Sequence, residues 1–338
     1  MDPNNILLLL LAFILGDFMF EYILGSLNAK SQTAIIPEEA KGIYNEEEYR
    51  KSYLYNKEKD KFGNISGLFT LSLTVAAFGF GWLGWLDTEL RTLIDNTIWR
   101  SLAFFGVILI VTDFFGIPFE LYNTFKIEAK YGFNKMTIGL FIGDKIKGYL
   151  MGAVIGGSLL ALLIWLIGDL GAYWWLYFWA VISVFILILN MFYTSLIVPL
   201  FNKLTPLEEG ELRDAIETYC KTVDFPLTNL FVVDGSKRST KANAYFSGRG
   251  KKKKVVLIDT LIKNHTTEEL VSVLAHEIGH YKKKHIKQTF VLSIVQMGIT
   301  LFILSLLVGY ENLSLALGAE KHEYFIHLNL IVFTILYT

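Results

Sequence analysis

Two histidines and one glutamate, His276, Glu277 and His280, form the pattern H-E-x-x-H in this chain. On an α-helix, residues four positions apart face the same side, so the two imidazoles can share one metal ion. Glu277 then flanks the open coordination position and can act as a general base. The spacing predicts one zinc-dependent hydrolytic site, with His276 and His280 as ligands and Glu277 as the catalytic carboxylate.

The flanking residues predict the helix that this site requires. Thr266 and Glu269 have the spacing of a capping box at a helix N-terminus. Several lysines follow the motif, and we expect them to mark the membrane interface before the helix continues as a spanning helix: Lys282, Lys283, Lys284 and Lys287.

The third metal ligand is not evident beside the motif. A metzincin would have Gly at position 283 and His at position 286, where this chain has Lys283 and Ile286. His285 follows His276 by nine residues, roughly half a turn away from the metal-binding face of a continuous helix. We therefore expect a more distant ligand, most simply a glutamate.

The composition is typical of a membrane protein. Of 338 residues, 53% are hydrophobic, and the mean hydropathy is +0.43, which excludes an ordinary soluble domain. The single Cys220 cannot form an intrachain disulfide and is expected to be a small buried side chain. A seventh apolar run starts near residue 324 and is too short to cross a bilayer. Six longer runs have about the 20 residues that a spanning helix needs: residues 6–24, 65–86, 101–121, 148–167, 174–200 and 289–308.

Lys and Arg are concentrated in residues 30–61, 126–147 and 202–288 and are sparse in the other loops. The positive-inside rule then places the N-terminus outside and the active site on the cytoplasmic side of a multi-pass membrane protein. The membrane would be a bacterial inner membrane, or the endoplasmic reticulum in a eukaryote. The lysine run at 251–254 favours a solvated turn over a nucleic-acid site, so the expected partners are membrane lipid and a peptide, and no nucleic acid.

Residues 201–288 are the one stretch with the pattern of a water-soluble domain. They divide the chain into residues 1–200 with five spanning helices, a zinc peptidase domain at 201–288, and residues 289–338 with the sixth and a partial seventh. A helix is predicted at 208–223 and strands at 230–233, 243–246 and 255–258, the last two paired as a hairpin across 247–250. A strand beside a metal-site helix can hold a peptide by strand addition. The candidate edge is residues 242–246, with Asn243, Ala244, Tyr245 and Phe246 as the expected substrate contacts.

Longer segments accompany the motif: residues 118–122, 128–134, 201–207, 234–239, 243–246 and 257–261. Together with H-E-x-x-H they resemble the type I CAAX prenyl proteases, the integral membrane zinc metalloproteases that include the yeast a-factor converting enzyme. The resemblance implies an all-α polytopic membrane protein in which seven helices form a barrel around a water-filled chamber, with the last helix incomplete. It also implies a small α+β peptidase domain of the gluzincin type, a zinc site facing the chamber, and substrate contact by the strand at 243–246.

The chain departs from the family pattern at one point. The family's third zinc ligand is a glutamate in an E-x-x-x-A-D pattern after the seventh spanning helix, and that pattern is absent here. The glutamates after the motif are expected in an outward-facing loop: Glu311, Glu320 and Glu323. We therefore expect an N-terminal portion of a longer enzyme, cut in the seventh spanning helix. The third ligand would lie beyond Thr338 in a missing C-terminal portion, and residues 1–338 alone would be inactive.

The functional hypothesis is a membrane zinc metalloendopeptidase that processes the C-termini of prenylated peptides, or a bacterial homologue that acts in membrane-protein quality control. Zinc would acidify a water molecule, and Glu277 would take its proton and pass it to the leaving amine. One alternative is a catalytically inactive membrane protein, or a fragment that retains the fold, which would lack bound metal. Another is an intramembrane protease with its motif inside an apolar span, which the charged residues around the motif disfavour.

Overall fold

The structure is a computed structural model that describes residues 1–241, 243–247, 253–320 and 325–337. In these residues the protein is mostly helical and has one four-stranded sheet. The chain forms two compact units. The first comprises residues 1–131, 157–174 and the described residues from 302 onward, and the second comprises residues 132–156 and 175–301.

The first part of the chain is helical, with α1 Pro3–Ser31, α2 Glu46–Gly79, α3 Trp82–Leu93, α4 Thr97–Tyr122, α5 Ile138–Met151, α6 Gly157–Asp169, α7 Trp174–Leu196 and α8 Val198–Phe201. π-Helical turns follow α4 at Asn123–Glu128 and join α5 to α6 at Gly152–Gly156. The elements that follow are β1 Leu204–Pro206, α9 Glu211–Thr222, β2 Leu227–Val233, β3 Ala244–Ser247, β4 Lys253–Ile258, α10 Asp259–Asn264, α11 Thr267–Lys282, α12 His285–Leu307, α13 Glu311–Ala316 and α14 Ile326–Tyr337. Short 3-10 turns lie at Glu38–Ala40, Gly171–Tyr173 and Gly235–Lys237.

Six helical stretches of the described chain are long and apolar enough to cross a membrane: Pro3–Ser31, Glu46–Gly79, Thr97–Glu128, Ile138–Asp169, Gly171–Phe201 and His285–Leu307. Each of the six longer apolar runs in the sequence overlaps one of them. Helix α14 is apolar but has 12 residues, or about 18 Å of helix against a hydrocarbon core of about 30 Å. The protein is therefore a multi-pass integral membrane protein.

The second spanning helix ends earlier than its apolar pattern predicts. The run at 65–86 predicts one helix, but α2 ends at Gly79 and α3 begins at Trp82. Gly81 between them has a φ of +68°, a left-handed conformation that glycine adopts without strain. Hydropathy does not reveal this break, because the residues on both sides of it are apolar.

The core of the first unit forms where α1, α3, α4, α13 and α14 meet. Helix α3 approaches the chain after α13 so closely that a Cβ atom on Gly84 would lie 2.2 Å from the carbonyl oxygen of Gly318. Position 84 therefore requires glycine, since backbone atoms cannot yield as a flexible side chain can. The buried side chains of this core include one from the end of α2, Phe78, and the following: Ile6, Leu10, Leu83, Phe104, Leu317, Leu328 and Val332.

A buried polar cluster joins α3, α4 and α14 in the same unit. His327 Nε2 lies 2.8 Å from Asp87 Oδ1, and His327 Nδ1 lies 3.0 Å from Ser101 Oγ. Arg91 Nη2 donates to Asp87 at 2.9 Å, and the Arg91 guanidinium lies 3.6 Å from the centroid of the Phe325 ring. Ser, His and Asp also form hydrolytic triads, but these three residues are at most 1% exposed. The cluster is therefore a structural clasp, because no substrate can reach it.

The second unit contains the sheet, in the order β1-β2-β4-β3. β2 and β4 are parallel, while β1 and β3 pair antiparallel with β2 and β4. The predicted hairpin is confirmed, since Ala244 pairs with Leu257 and Phe246 with Val255. Ala242, and residues 248–252 with part of the predicted turn and lysine run, lie outside the described residues. β1 was not predicted, because three residues ending in Pro206 carry no strand periodicity.

Helices α9 and α11 share a core with the sheet. Its buried side chains are Ile216, Cys220, Phe225, Leu230, Val255, Leu257, Leu270, Leu274 and Ile278. Cys220 is 2% exposed, as expected for a small buried side chain. Burial raises the pKa of the Cys220 thiol to about 11. This thiol is therefore structural, because thiolate is the reactive form.

Candidate active site

The H-E-x-x-H motif lies on α11, and the predicted capping box begins this helix. Thr266 Oγ1 accepts a hydrogen bond from the backbone N–H of Glu269 at 3.3 Å. Glu269 Oε2 in turn accepts one from the backbone N–H of Thr266 at 2.9 Å. Glu268 adds a carboxylate to the first turn, where the helix dipole favours negative charge. The predicted helix start is confirmed.

Helix α11 has one packed side and one accessible side. Leu270, Leu274 and Ile278 are buried in the core that α11 shares with the sheet. His276 and His280 are exposed. Because the apolar residues recur every four positions, they form one stripe that holds the helix while the imidazoles stay accessible.

The two motif histidines converge on each other. Their Nε2 atoms lie 3.1 Å apart, and their ring centroids are separated by 4.8 Å. Tetrahedral zinc with Zn–N bonds of about 2.0–2.1 Å needs two such nitrogens about 3.3 Å apart. The pair therefore fits two ligand positions of one zinc ion. Within the described part of the chain, no three His, Cys, Asp or Glu side chains are grouped to hold a metal ion.

Glu277 flanks this pair. At 3.6 residues per turn, its side chain leaves the helix about 100° from that of His276 and about 60° from that of His280. It is half-buried. A carboxylate in this position can exchange protons with a molecule bound between the imidazoles and the helix flank.

The structure corrects the prediction that the motif helix continues as the sixth spanning helix. Helix α11 ends at Lys282, and α12 starts at His285. Lys284 between them has a φ of +59°, a left-handed conformation that is uncommon for lysine. The turn brings His285 against His280, with their Nδ1 atoms 2.8 Å apart. The periodicity argument had placed His285 away from the metal-binding face, because it assumed one continuous helix.

Strand β3 packs beside α11 at the edge of the sheet. The backbone N–H of Ile258 donates to the carbonyl of Asn243 at 3.1 Å, so these two residues form a hydrogen-bonded pair of the ladder. In an antiparallel ladder such pairs alternate, so the backbone N–H and C=O groups of Ala244 and Phe246 face outward. No strand of the described chain pairs with this outer edge.

One of the outward donors already has a partner. The backbone N–H of Ala244 donates to Oδ1 of Asn243 at 2.9 Å. The remaining outward groups are the carbonyl of Ala244 and the N–H and carbonyl of Phe246. The side chain of Tyr245 does not lie at this edge but on one face of the sheet, where it packs with Val256. Burial there raises the pKa of the Tyr245 hydroxyl. The edge can therefore accept a peptide most fully at Phe246.

The sequence matches "CAAX prenyl protease N-terminal, five membrane helices" over residues 26–203 and "Peptidase family M48" over residues 206–336. The CAAX prenyl protease 1 homolog of Oryza sativa subsp. japonica is 38% identical over 290 residues, which cover 83% of this chain and 68% of that protein. The Homo sapiens homolog is 32% identical over 330 residues, which cover 85% and 70%. The crystal structure of S. mikatae Ste24p has a TM-score of 0.91 to this chain at 29% identity, covering 98% and 81%. The chain belongs to the CAAX prenyl protease 1 family.

Membership of the CAAX prenyl protease 1 family makes the protein a membrane metallopeptidase, and the M48 peptidase family implies a metal ion, generally zinc. These matches do not favour the alternative of a non-catalytic membrane protein. The expected truncation within a seventh spanning helix is not borne out. The three-part domain division and the water-filled chamber stay predictions.

Two of the segments that carried the resemblance to the CAAX prenyl protease family, 201–207 and 234–239, meet at Arg238, which was not predicted as a site residue. Its Nε and Nη2 atoms donate to both carboxylate oxygens of Asp144, at 2.7 and 2.9 Å. It also donates to the carbonyl of Phe201 at 2.8 Å and to the side chain of Asn202. The backbone N–H of Lys135 donates to its carbonyl at 3.0 Å. We call these contacts the Arg238 anchor, and they tie the loop after β2 to helix α5.

Proposed function

We propose that this protein is a zinc endopeptidase that hydrolyses prenylated peptides of the CAAX type near their C-terminus, with its active site on the cytoplasmic side of the membrane. The observation that carries the proposal is the approach of His276 Nε2 to His280 Nε2 at 3.1 Å, beside Glu277 and the free edge of β3. The names of the relatives support the substrate class.

His276 and His280 would hold the metal, together with a third protein ligand that we expect to be a glutamate. When bound, zinc would polarise the scissile carbonyl as a Lewis acid and would lower the pKa of its bound water to about 7. Glu277 takes the proton of the attacking water as general base. The same carboxylate then delivers this proton to the leaving amine, so one residue serves both half-reactions.

Strand β3 would orient the peptide. Asn243, Ala244, Tyr245 and Phe246 form the proposed substrate strand, and the outward groups of Phe246 and the Ala244 carbonyl would pair with the peptide backbone. Backbone pairing gives affinity without reading side chains. The position of the scissile bond would then depend on how far the peptide extends past Phe246.

Metal content and peptide cleavage by the purified protein test the roles on α11. His276→Ala and His280→Ala should lose zinc and activity, while Glu277→Gln should keep zinc and lose hydrolysis. His265→Ala is a matched control, because His265 is exposed and follows the end of α10. Near wild-type turnover in Glu277→Gln would contradict the general-base role.

The substrate class is tested with a farnesylated CAAX peptide and the unmodified peptide of the same sequence. We expect a higher kcat/KM for the farnesylated peptide. Equal values for both peptides would favour general membrane-protein quality control over CAAX processing.

The orientation is tested with single cysteines in a Cys220→Ala background. Lys282→Cys should react with a membrane-impermeant maleimide only after the cells have been permeabilised. Glu320→Cys should react with the same reagent in intact cells. The reverse pattern would place the active site outside the cytoplasm.

A further inference from the structure

His285 contacts one of the two metal-site histidines from the next helix. Its Nδ1 atom lies 2.8 Å from Nδ1 of His280, and the two ring planes are 72° apart with centroids separated by 5.0 Å. The turn at Lys283 and Lys284 produces this contact, since it ends α11 and starts α12 at His285.

The two nitrogens of His280 face different partners. Its Nε2 atom faces Nε2 of His276 at 3.1 Å, and its Nδ1 atom faces His285. A histidine that binds metal through Nε2 uses the lone pair of that atom, so its proton must reside on Nδ1. His280 then donates this N–H, and His285 Nδ1 accepts it.

We propose that His285 is a positioning residue, which fixes the tautomer and the ring orientation of His280 by accepting its Nδ1–H. The inference rests on the proposed function, because it takes His280 as a metal ligand. A hydrogen-bond acceptor on the far nitrogen raises the basicity of a metal-bound imidazole and holds its plane. Losing such a partner typically lowers metal affinity about 10- to 100-fold.

The geometry separates this role from that of a third ligand. His285 Nδ1 contacts Nδ1 of His280, whereas His276 faces the other ring nitrogen of His280, Nε2. A third ligand would have to converge on the Nε2 atoms of His276 and His280 themselves. His285 therefore acts on the metal through His280.

Substitution at position 285 separates the acceptor from the shape of the side chain. Asparagine places Oδ1 on Cγ, where histidine has Nδ1, so His285→Asn can still accept the hydrogen bond. Leucine has a carbon atom at this place, so His285→Leu keeps bulk and loses the acceptor. We expect His285→Leu to weaken zinc binding about 10- to 100-fold, and His285→Asn to stay within about threefold of the wild type on the same grounds.

The experiment uses the purified protein and measures zinc affinity by competition with a chelator. The visible absorption of the Co²⁺-substituted protein is recorded as well, because its bands respond to ligand orientation. His265→Leu is the control for loss of an imidazole elsewhere, and thermal unfolding of each metal-free variant reports folding.

The outcomes distinguish this inference from the proposed function. Wild-type zinc affinity and an unchanged cobalt spectrum in His285→Leu overturn the inference, provided that His276→Ala loses metal. Equal losses of zinc affinity in His285→Asn and His285→Leu also overturn the inference, because a hydrogen-bond acceptor at position 285 would then not be enough to keep zinc bound. Retention of zinc by His276→Ala contradicts the proposed function itself.

Discussion

Replacing Phe246 by proline removes one backbone donor from the proposed substrate strand. The alternation in β3 directs the N–H of Phe246 to the free edge, while those of Tyr245 and Ser247 face β4. Proline at 246 therefore leaves the β3–β4 ladder intact, and proline is tolerated at strand edges for this reason. The variant tests strand addition without removing a backbone hydrogen bond of the β3–β4 ladder.

The size of the effect follows from the outward groups of β3. Asn243 already occupies the N–H of Ala244, so the N–H of Phe246 is the remaining outward donor within the described strand β3. Losing a single backbone hydrogen bond costs about 1 kcal/mol, and about 3 kcal/mol if the peptide carbonyl is left buried and unpaired. These energies correspond to a decrease in kcat/KM of about 5- to 150-fold. The loss should appear mainly in KM, because the hydrogen bond holds substrate and transition state alike.

The assay compares Phe246→Pro with Phe246→Leu, which loses the ring but keeps the N–H. Steady-state cleavage of a CAAX peptide gives kcat and KM, and zinc content shows whether the site stays intact. If both variants have the same kcat/KM, the peptide does not pair with Phe246 and strand addition at this edge is wrong. Loss of zinc in Phe246→Pro alone would indicate a folding role.

Three further predictions concern stability and reactivity. Gly84→Ala should destabilise the protein by about 3 kcal/mol or more, because the new Cβ meets backbone atoms of Gly318; thermal unfolding in detergent should show no such loss for Gly106→Ala, which has open space around it. Arg238→Lys should lower the free energy of unfolding by about 1–3 kcal/mol, because lysine cannot form the bidentate contact with Asp144 in the Arg238 anchor. A thermal midpoint equal to that of the wild type would contradict this prediction. Cys220 should resist thiol reagents at neutral pH until the protein unfolds, because its pKa of about 11 keeps the thiol protonated. This raised pKa also links stability to pH. The contribution of Cys220 to the free energy of unfolding is fully present below the pKa of the thiol in the unfolded chain, and it should be lost as the pH rises toward about 11.

Local patterns in the sequence predicted the metal-site helix and the hairpin. The capping box at Thr266, the H-E-x-x-H spacing and the alternation around Ala244 are each encoded within about ten residues. Backbone geometry alone converts such spacings into neighbouring side chains. This is why the convergence of His276 and His280 and the pairing of β3 with β4 could be predicted.

The Arg238 anchor could not be predicted in this way. Asp144 lies 94 positions from Arg238 in the chain. The sequence around a single aspartate in an apolar helix does not identify the residue with which it pairs. The charge of Asp144 is tolerable there because a guanidinium meets both of its oxygens. The apolar run predicted at 148–167 begins after Asp144, so the sequence placed this residue in a loop, and its partner depends on tertiary packing.

The contact between His285 and His280 depends on a turn that periodicity does not reveal. Lys283 and Lys284 are good helix formers, and nothing in their types predicts that Lys284 adopts a φ of +59°. A left-handed non-glycine residue costs about 1 kcal/mol or more, so packing must favour the turn over a continuous helix. Lys284→Gly removes this strain and should leave the contact intact. Lys284→Pro cannot adopt a positive φ, so it should displace His285 and weaken metal binding as His285→Leu does. Equal zinc affinity in Lys284→Pro and Lys284→Gly would show that the turn does not position His285.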